Sequence, residues 1–414
     1  MSELGSRSAA KRKGIAPLPL WLAAAAVILV AVNLRPGATS VGPVLAEIQA
    51  GLGMGSVQSG ILTALPGLTF AVVGALAVMV SRRAGVAWTI TLGLGVVAAG
   101  LLLRSIVSSP VLFMILTVLA FAGMAMGNIL VPAFIKSHGG SRTALLNSVY
   151  GTTLAVGATI PLLVAAPLTA WESGGWQLSL RVWGLAALAA FVPWILVSVR
   201  NRRTAVQTDD ASGPAGSLRI TSSRTAVALC VYFGVQSMHA YVQFGWLAQI
   251  YRDAGLEQAQ AGLMAAILAS LGIAGGLIMP ALVARAAGLH FYIAGLAAAV
   301  VAGYAGLLLA PATVPWLWAL LLGIGGFAFP TALALITARS RDPRVTAELS
   351  GFCQPVGYLL AAAGPFAIGA LHEATGSWTV PLLILIASAA VMAVAGIIAA
   401  APRFVDDQLR RHLA

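Results

Sequence analysis

The sequence predicts an all-α membrane protein whose 12 transmembrane helices form two pseudo-symmetric six-helix bundles. Three observations carry this. Hydrophobic residues make up 59% of the chain and charged residues only 9%, against about 25% charged in a soluble domain. Such a chain lacks the polar groups to cover a water-facing surface, so lipid is its solvent; the mean hydropathy is +0.94. Apolar runs long enough for a bilayer-spanning helix of about 20 residues recur along the whole chain. Finally, the charges alternate between gaps. Of 24 Lys and Arg, 20 fall on one side: Arg7, Lys11, Arg12, Lys13, Arg82, Arg83, Lys136, Arg142, Arg200, Arg202, Arg203, Arg219, Arg224, Arg285, Arg339, Arg341, Arg344, Arg403, Arg410 and Arg411. Arg104, Arg181 and Arg252 fall toward the other side, and Arg35 lies inside an apolar run. The positive-inside rule makes the basic side cytoplasmic.

The spans follow in order. The first is expected near 18–46, after Lys11-Arg12-Lys13. This start has the look of a secretory leader, but eleven further apolar runs favour an uncleaved span. The others are expected near 56–80, 86–106, 110–135, 142–168 and 179–199, then 225–251, 259–284, 289–309, 314–337, 346–370 and 378–400. Abundant glycine, 45 residues, suits close packing of membrane helices through small side chains. The longest polar gap, 200–224, contains Asp209-Asp210-Ala211-Ser212-Gly213-Pro214 and has a linker's composition. The expected organisation is a cytoplasmic tail at 1–17, bundles at 18–199 and 225–400 joined by the 200–224 linker, and a cytoplasmic tail at 401–414. The even span count puts both termini in the cytoplasm.

The halves repeat. Span two carries Ser59-Gly60, Gly74 and Arg82-Arg83-Ala84-Gly85; span eight carries Ala261-Gly262, Gly276 and Arg285-Ala286-Ala287-Gly288. Spans four and ten each have a late proline, Pro132 and Pro330. Two six-span halves of the same orientation are the pattern of a parallel-repeat transporter. This plan resembles the major facilitator superfamily. Gly74-Ala75-Leu76 with Ser81-Arg82-Arg83-Ala84-Gly85 resembles that superfamily's loop 2–3 signature, without its usual aspartate. Further segments resemble the cyanate/2-nitroimidazole transporter family: Asn33-Leu34-Arg35-Pro36, Phe233-Gly234-Val235-Gln236-Ser237, Trp246-Leu247, and Leu349-Ser350-Gly351-Phe352-Cys353-Gln354-Pro355-Val356-Gly357-Tyr358. The resemblance implies a major facilitator fold and ligands of the cyanate or nitroimidazole type.

Arg35 is the residue that composition cannot absorb. Counted from Pro19, it lies roughly 24 Å along a helix, deep in a core about 30 Å thick. A guanidinium stays charged there, at about 3 kcal/mol on insertion scales. All 12 acids sit in loops or at span ends. An arginine with no carboxylate partner calls for an anion or a polar ligand with oxygen acceptors, which its planar fork matches. The bland alternatives are a reach to Glu47 or to backbone carbonyls, or snorkelling to the outer interface. Pro36 and Gly37 favour a local break that frees backbone to line a cavity. Asn33 is a second candidate, or a helix–helix hydrogen bond.

Span seven has the densest polar set. Gln236, His239 and Gln243 fall at i, i+3 and i+7, one helix face, with Ser237 and Tyr241 beside them. His239 is the histidine well inside a span and hence the proton-coupling candidate, against a plain hydrogen-bonded histidine. Gln354 and Tyr358, four apart, complete the expected site; the resemblance supports Gln354 as a cavity residue. Asn128 reads better as packing than as a contact. Phe70, Phe121, Tyr232, Tyr241 and Phe329 are candidates for an apolar wall. Arg82, Arg83 and Glu348 are candidate gating residues, with a merely solvated cluster as the alternative for Glu348.

No P-loop, GxSxG or HExxH is present, so neither ATP hydrolysis nor an enzyme is expected, and no cofactor or metal. Cys230 and Cys353 lack disulfide or metal spacing. The net charge of +12 is spread over separate loops, which argues for anionic lipid rather than nucleic acid. The expected function is secondary transport of a small anionic or strongly polar solute across the cytoplasmic (inner) membrane by a monomer, coupled to protons through His239. The alternative within the superfamily is a multidrug exporter, disfavoured for cations because no Asp or Glu lies mid-span.

Overall fold

A computed structural model describes residues 19–139, 142–171, 175–200, 220–286 and 288–411. The expected tail at 1–17 and most of the 200–224 linker, residues 201–219, lie outside them. The described residues form helices and turns with no strand, and 12 helical spans are long and apolar enough to cross a membrane. Spans one to six are Leu20–Leu52, Ser56–Ala84, Val86–Arg104, Pro110–Gly139, Thr143–Ala170 and Gly175–Arg200. Spans seven to twelve are Arg224–Asp253, Gln258–Arg285, Leu289–Leu309, Pro315–Ala338, Pro343–Thr375 and Thr379–Ala400. A short helix, Val405–Arg411, follows.

Span one is broken, as Pro36 led us to expect. Its helix runs Leu20–Ala31, turns through 32–35, resumes over Pro36–Thr39, tightens into a 3-10 turn at Gly42–Val44 and continues as Leu45–Leu52. Pro36 and Pro43 sit at first-turn positions, where a missing N–H costs nothing. Span ten is also broken, between Pro315–Gly325 and Ala328–Ala338, where one continuous helix was expected. Gly325-Gly326 lies at that break, where two residues of low helix propensity meet.

Among the described residues, the two sets of six approach most closely toward the end away from the basic loops. Spans two and eleven are in contact near the end away from the basic loops: a Cβ at Gly60 would lie 3.0 Å from the Pro365 carbonyl oxygen. Spans five and eight touch likewise: a Cβ at Gly262 would lie 2.6 Å from the Leu162 carbonyl oxygen. Glycine permits these backbone approaches because any side chain would fill them. Toward the basic end, Gly151, Gly272, Gly276 and Gly351 have nothing within 4 Å of a built Cβ. The halves are pressed together at one end and parted at the other.

Candidate functional site

The space between the parted halves is a cavity of about 800 Å³. Span one contributes Arg35, span five Leu154 and Ala158, span seven Gln236, Ser237, Tyr241 and Gln243, span eight Leu268 and Gly272, span ten Phe329 and Pro330, and span eleven Tyr358. Val283, Ala284, Thr337 and Ala338, at the basic-loop ends of spans eight and ten, line its mouth. Among the described residues no Asp or Glu lines it.

Arg35 caps the one-turn helix after the break, and its carbonyl accepts from the N–H groups of Ala38 and Thr39 at 3.0 and 3.1 Å and from Thr39 Oγ1 at 3.2 Å. The turn thus fixes its backbone, while the side chain stands at the cavity wall. Among the described residues its guanidinium makes no hydrogen bond or ion pair. Tyr241 and Tyr358 line the same cavity. Glu47, the acid nearest in sequence, is committed elsewhere: it pairs with Arg252 at 2.8 Å.

Two polar atoms beside the cavity are also left unsatisfied. Gln236 Oε1 and Ser237 Oγ are buried with no hydrogen-bond partner, each a cost of about 1–3 kcal/mol unless something binds. Aromatic rings surround them. Tyr358 lies 6.4 Å from Tyr241 and 5.2 Å from Phe233 between ring centroids, and Phe233 lies 5.6 Å from Phe329. Of the expected wall, Tyr241 and Phe329 line the cavity, while Phe121 and Tyr232 are packed into the apolar core.

Four of the expected contact residues, Arg35, Gln236, Tyr241 and Tyr358, are brought together at the cavity; three are not. Asn33 turns back on its own helix, Nδ2 donating to the Leu29 carbonyl at 2.9 Å. The broken turn leaves that carbonyl short of a backbone donor. Gln354 donates to Ser350 Oγ at 2.7 Å, one turn earlier, and lies outside the lining. His239 is fully buried among spans seven, nine and twelve, its ring nitrogens at 3.1 Å from Tyr304 OH and 3.2 Å from Ser388 Oγ. Solute cannot reach it in this conformation, so its placement as a solute contact is corrected. The i, i+3, i+7 face straddles a boundary: Gln236 and Gln243 look onto the cavity and His239 looks into the bundle. Of the gating candidates, Arg83 is exposed and Glu348 half-buried at the parted end, and the side chain of Arg82 lies outside the described residues.

Sequence reasoning missed two features. Arg104, read as a charge falling toward the outer side at the end of span three, is 0% exposed. Its Nη2 donates to the Gly37 carbonyl at 3.0 Å, its Nη1 reaches Thr117 Oγ1 at 3.5 Å, and its guanidinium lies 5.8 Å from the Phe113 ring centre. It clamps the turn that carries Arg35. Also missed was the closed end. Besides Glu47 and Arg252, Gln258 Nε2 donates to the Pro43 carbonyl at 3.1 Å, and the Glu373 carboxylate accepts from the Val57 N–H at 2.6 Å. Each ties one half to the other. Among the described residues no cluster of His, Cys, Asp and Glu is fit to hold a metal.

Comparison with known proteins adds the family. Residues 21–365 match the Major Facilitator Superfamily. The chain is 37% identical to an uncharacterized transporter of Bacillus subtilis, over 89% of this chain and 91% of that one. It is 32% identical to the 2-nitroimidazole transporter of Escherichia coli (91% and 94% covered) and 28% identical to the cyanate transport protein of that organism (85% and 90%). Among solved structures, the nucleoside transporter NupG superposes with a TM-score of 0.72 at 12% identity, covering 92% of this chain and 98% of that one.

Proposed function

We propose that this chain, which belongs to the Major Facilitator Superfamily, is a secondary active transporter that carries a small anionic or strongly polar solute by alternating access. The observation that carries the reading is the Arg35 guanidinium, set at the wall of the cavity between the halves with no protein carboxylate to neutralise it. An anionic solute supplies the missing countercharge, and Gln236 and Ser237 supply further contacts. The relatives named for 2-nitroimidazole and cyanate fit a site that binds polar or anionic small molecules. A multidrug exporter for cations fits less well, because among the described residues no carboxylate lines the cavity.

With the basic loops assigned to the cytoplasm, this conformation faces inward. Rocking of the halves about the central site would part Glu47 from Arg252 and close the mouth, exposing Arg35 to the other side. The site is built within one chain, so a monomer in the cytoplasmic membrane suffices. His239, sealed from the cavity, lends no support to proton coupling. The test is Arg35→Ala in purified protein reconstituted in lipid: loss of solute binding and uptake with unchanged melting supports the anchor, and unimpaired uptake refutes it.

A further inference from the structure

A buried chain of hydrogen bonds fixes which way one cavity-lining amide points. Ser388 Oγ donates to the Leu385 carbonyl at 2.8 Å. Its single proton is thereby spent, so at 3.2 Å from His239 Nε2 it accepts, and Nε2 carries the hydrogen. A fully buried imidazole with no carboxylate beside it is neutral, so Nδ1 is an acceptor. Tyr304 OH, 3.1 Å away, therefore donates to Nδ1. The tyrosine oxygen is left to accept, and it does so from Gln243 Nε2 at 3.0 Å. This order leaves the Gln243 carbonyl oxygen without a protein donor on a side chain that lines the cavity. Gln236, two helical turns away, also holds a carbonyl oxygen with no partner.

The cavity thus presents one cation, Arg35, and amide acceptors that want a donor. Its remaining surface is largely aromatic and aliphatic, with Tyr241, Tyr358 and Phe329 on the wall. A volume of about 800 Å³ belongs to the range that holds ring-sized ligands, and a triatomic anion fills only a small part of it. From this, and resting on the reading of Arg35 as an anion anchor, we infer that the solute is an aromatic monoanion carrying a hydroxyl or ring N–H donor. The anionic group meets Arg35, the ring meets the tyrosines, and the donor meets the Gln243 carbonyl. His239 and Tyr304 are then positioning residues that hold that carbonyl toward the solute.

The test is a set of binding isotherms on the full-length protein in lipid nanodiscs, with 4-hydroxybenzoate (charge and donor), 4-methoxybenzoate (charge without donor), 4-methylphenol (donor without charge) and cyanate. We expect 4-hydroxybenzoate to bind about tenfold tighter than 4-methoxybenzoate, the worth of one good hydrogen bond. Gln243→Leu, and separately Tyr304→Phe, shrink that ratio toward one. Equal affinities of the two benzoates in the unmodified protein overturn the donor inference and leave the anion anchor standing. Binding of 4-methylphenol as tight as that of 4-hydroxybenzoate overturns the anchor itself. Cyanate binding with no binding of any ring overturns the aromatic class. An undiminished ratio in both variants removes Gln243 as the receiving group.

Discussion

Arg35 and Arg104 are two guanidiniums on spans one and three, neither paired with a carboxylate among the described residues, and they are placed in opposite ways. Arg104 is wholly enclosed, and its partner is the carbonyl of Gly37. Arg35 is two residues from that glycine, partly exposed to the cavity, and has no hydrogen-bond or ion-pair partner among the described residues. The difference lies in what the break in span one leaves available. It frees the Gly37 carbonyl toward span three, where Arg104 takes it up, and turns the next cation toward the space between the halves. A buried charge satisfied by backbone is structural; one left facing the space between the halves is what we propose as the solute anchor.

The largest effect that would break this comparison belongs to Arg35. Arg35→Ala is expected to lower affinity for an anionic solute by about a hundredfold, the loss of a charge-assisted bidentate contact worth about 3 kcal/mol. Melting should be unchanged or slightly raised, because no protein group loses a partner. A fall in melting temperature would show that Arg35 is structural after all. Arg104→Leu should show the reverse balance. It orphans the Gly37 carbonyl, at about 1–3 kcal/mol, so melting falls, while affinity drops less than in Arg35→Ala. Arg104→Lys, which keeps a donor, should recover most of the melting temperature. Affinity loss as large as that of Arg35→Ala, with melting intact, would make Arg104 a direct contact.

The closed end predicts a smaller effect. Glu47 and Arg252 are about a quarter exposed, and such pairs contribute about 1 kcal/mol or less. Glu47→Gln should therefore shift the balance between inward- and outward-open forms only a few-fold, read as labelling of a cysteine introduced at Gly272 from either side. The reciprocal swap Glu47→Arg with Arg252→Glu should restore it. The smallest effect concerns the short terminal helix. The Asp406 carboxylate accepts from the backbone N–H groups of Arg341 and Asp342, each at 3.0 Å. Burial pushes its pKa up, but the bonds from the Asp342 and Arg341 N–H groups outweigh that and hold it below the usual carboxylate value. A lowered folded pKa stabilises above the unfolded value and is lost as pH falls through the folded one. Asp406→Asn should cost a little stability at neutral pH, and the difference from the unmodified protein should close on acidification. A difference that persists at acid pH would show that the carboxylate charge is not what holds the helix.

Much of this was legible along the chain. Hydropathy and charge alternation located all 12 spans to within a few residues at most ends, because each span must satisfy its own backbone in lipid. Arg35 stood out because nothing nearby in sequence neutralises it, and Pro36 marked the break. The errors have one source. His239 shares a helical face with Gln236 and Gln243, and periodicity alone does not say where along that face the cavity ends and the bundle interior begins. Arg104 sits next to Ser105 at a span end, the usual address of a solvated charge. Tyr304 and Ser388, which hold His239, were visible as polar insertions in apolar spans nine and twelve, but nothing in their spacing ties them to span seven.

The sequence by itself determined which segments enter the membrane, the repeat between halves and the presence of a cation that no neighbouring residue satisfies. These follow from the free energy of transferring individual groups into hydrocarbon, which is a property of composition and order. Only the tertiary structure decided which polar groups are already satisfied by one another and which are left for a ligand. Hydrogen-bond partners such as Arg104 and Gly37, or His239 and Tyr304, are more than sixty residues apart and meet only when the helices pack.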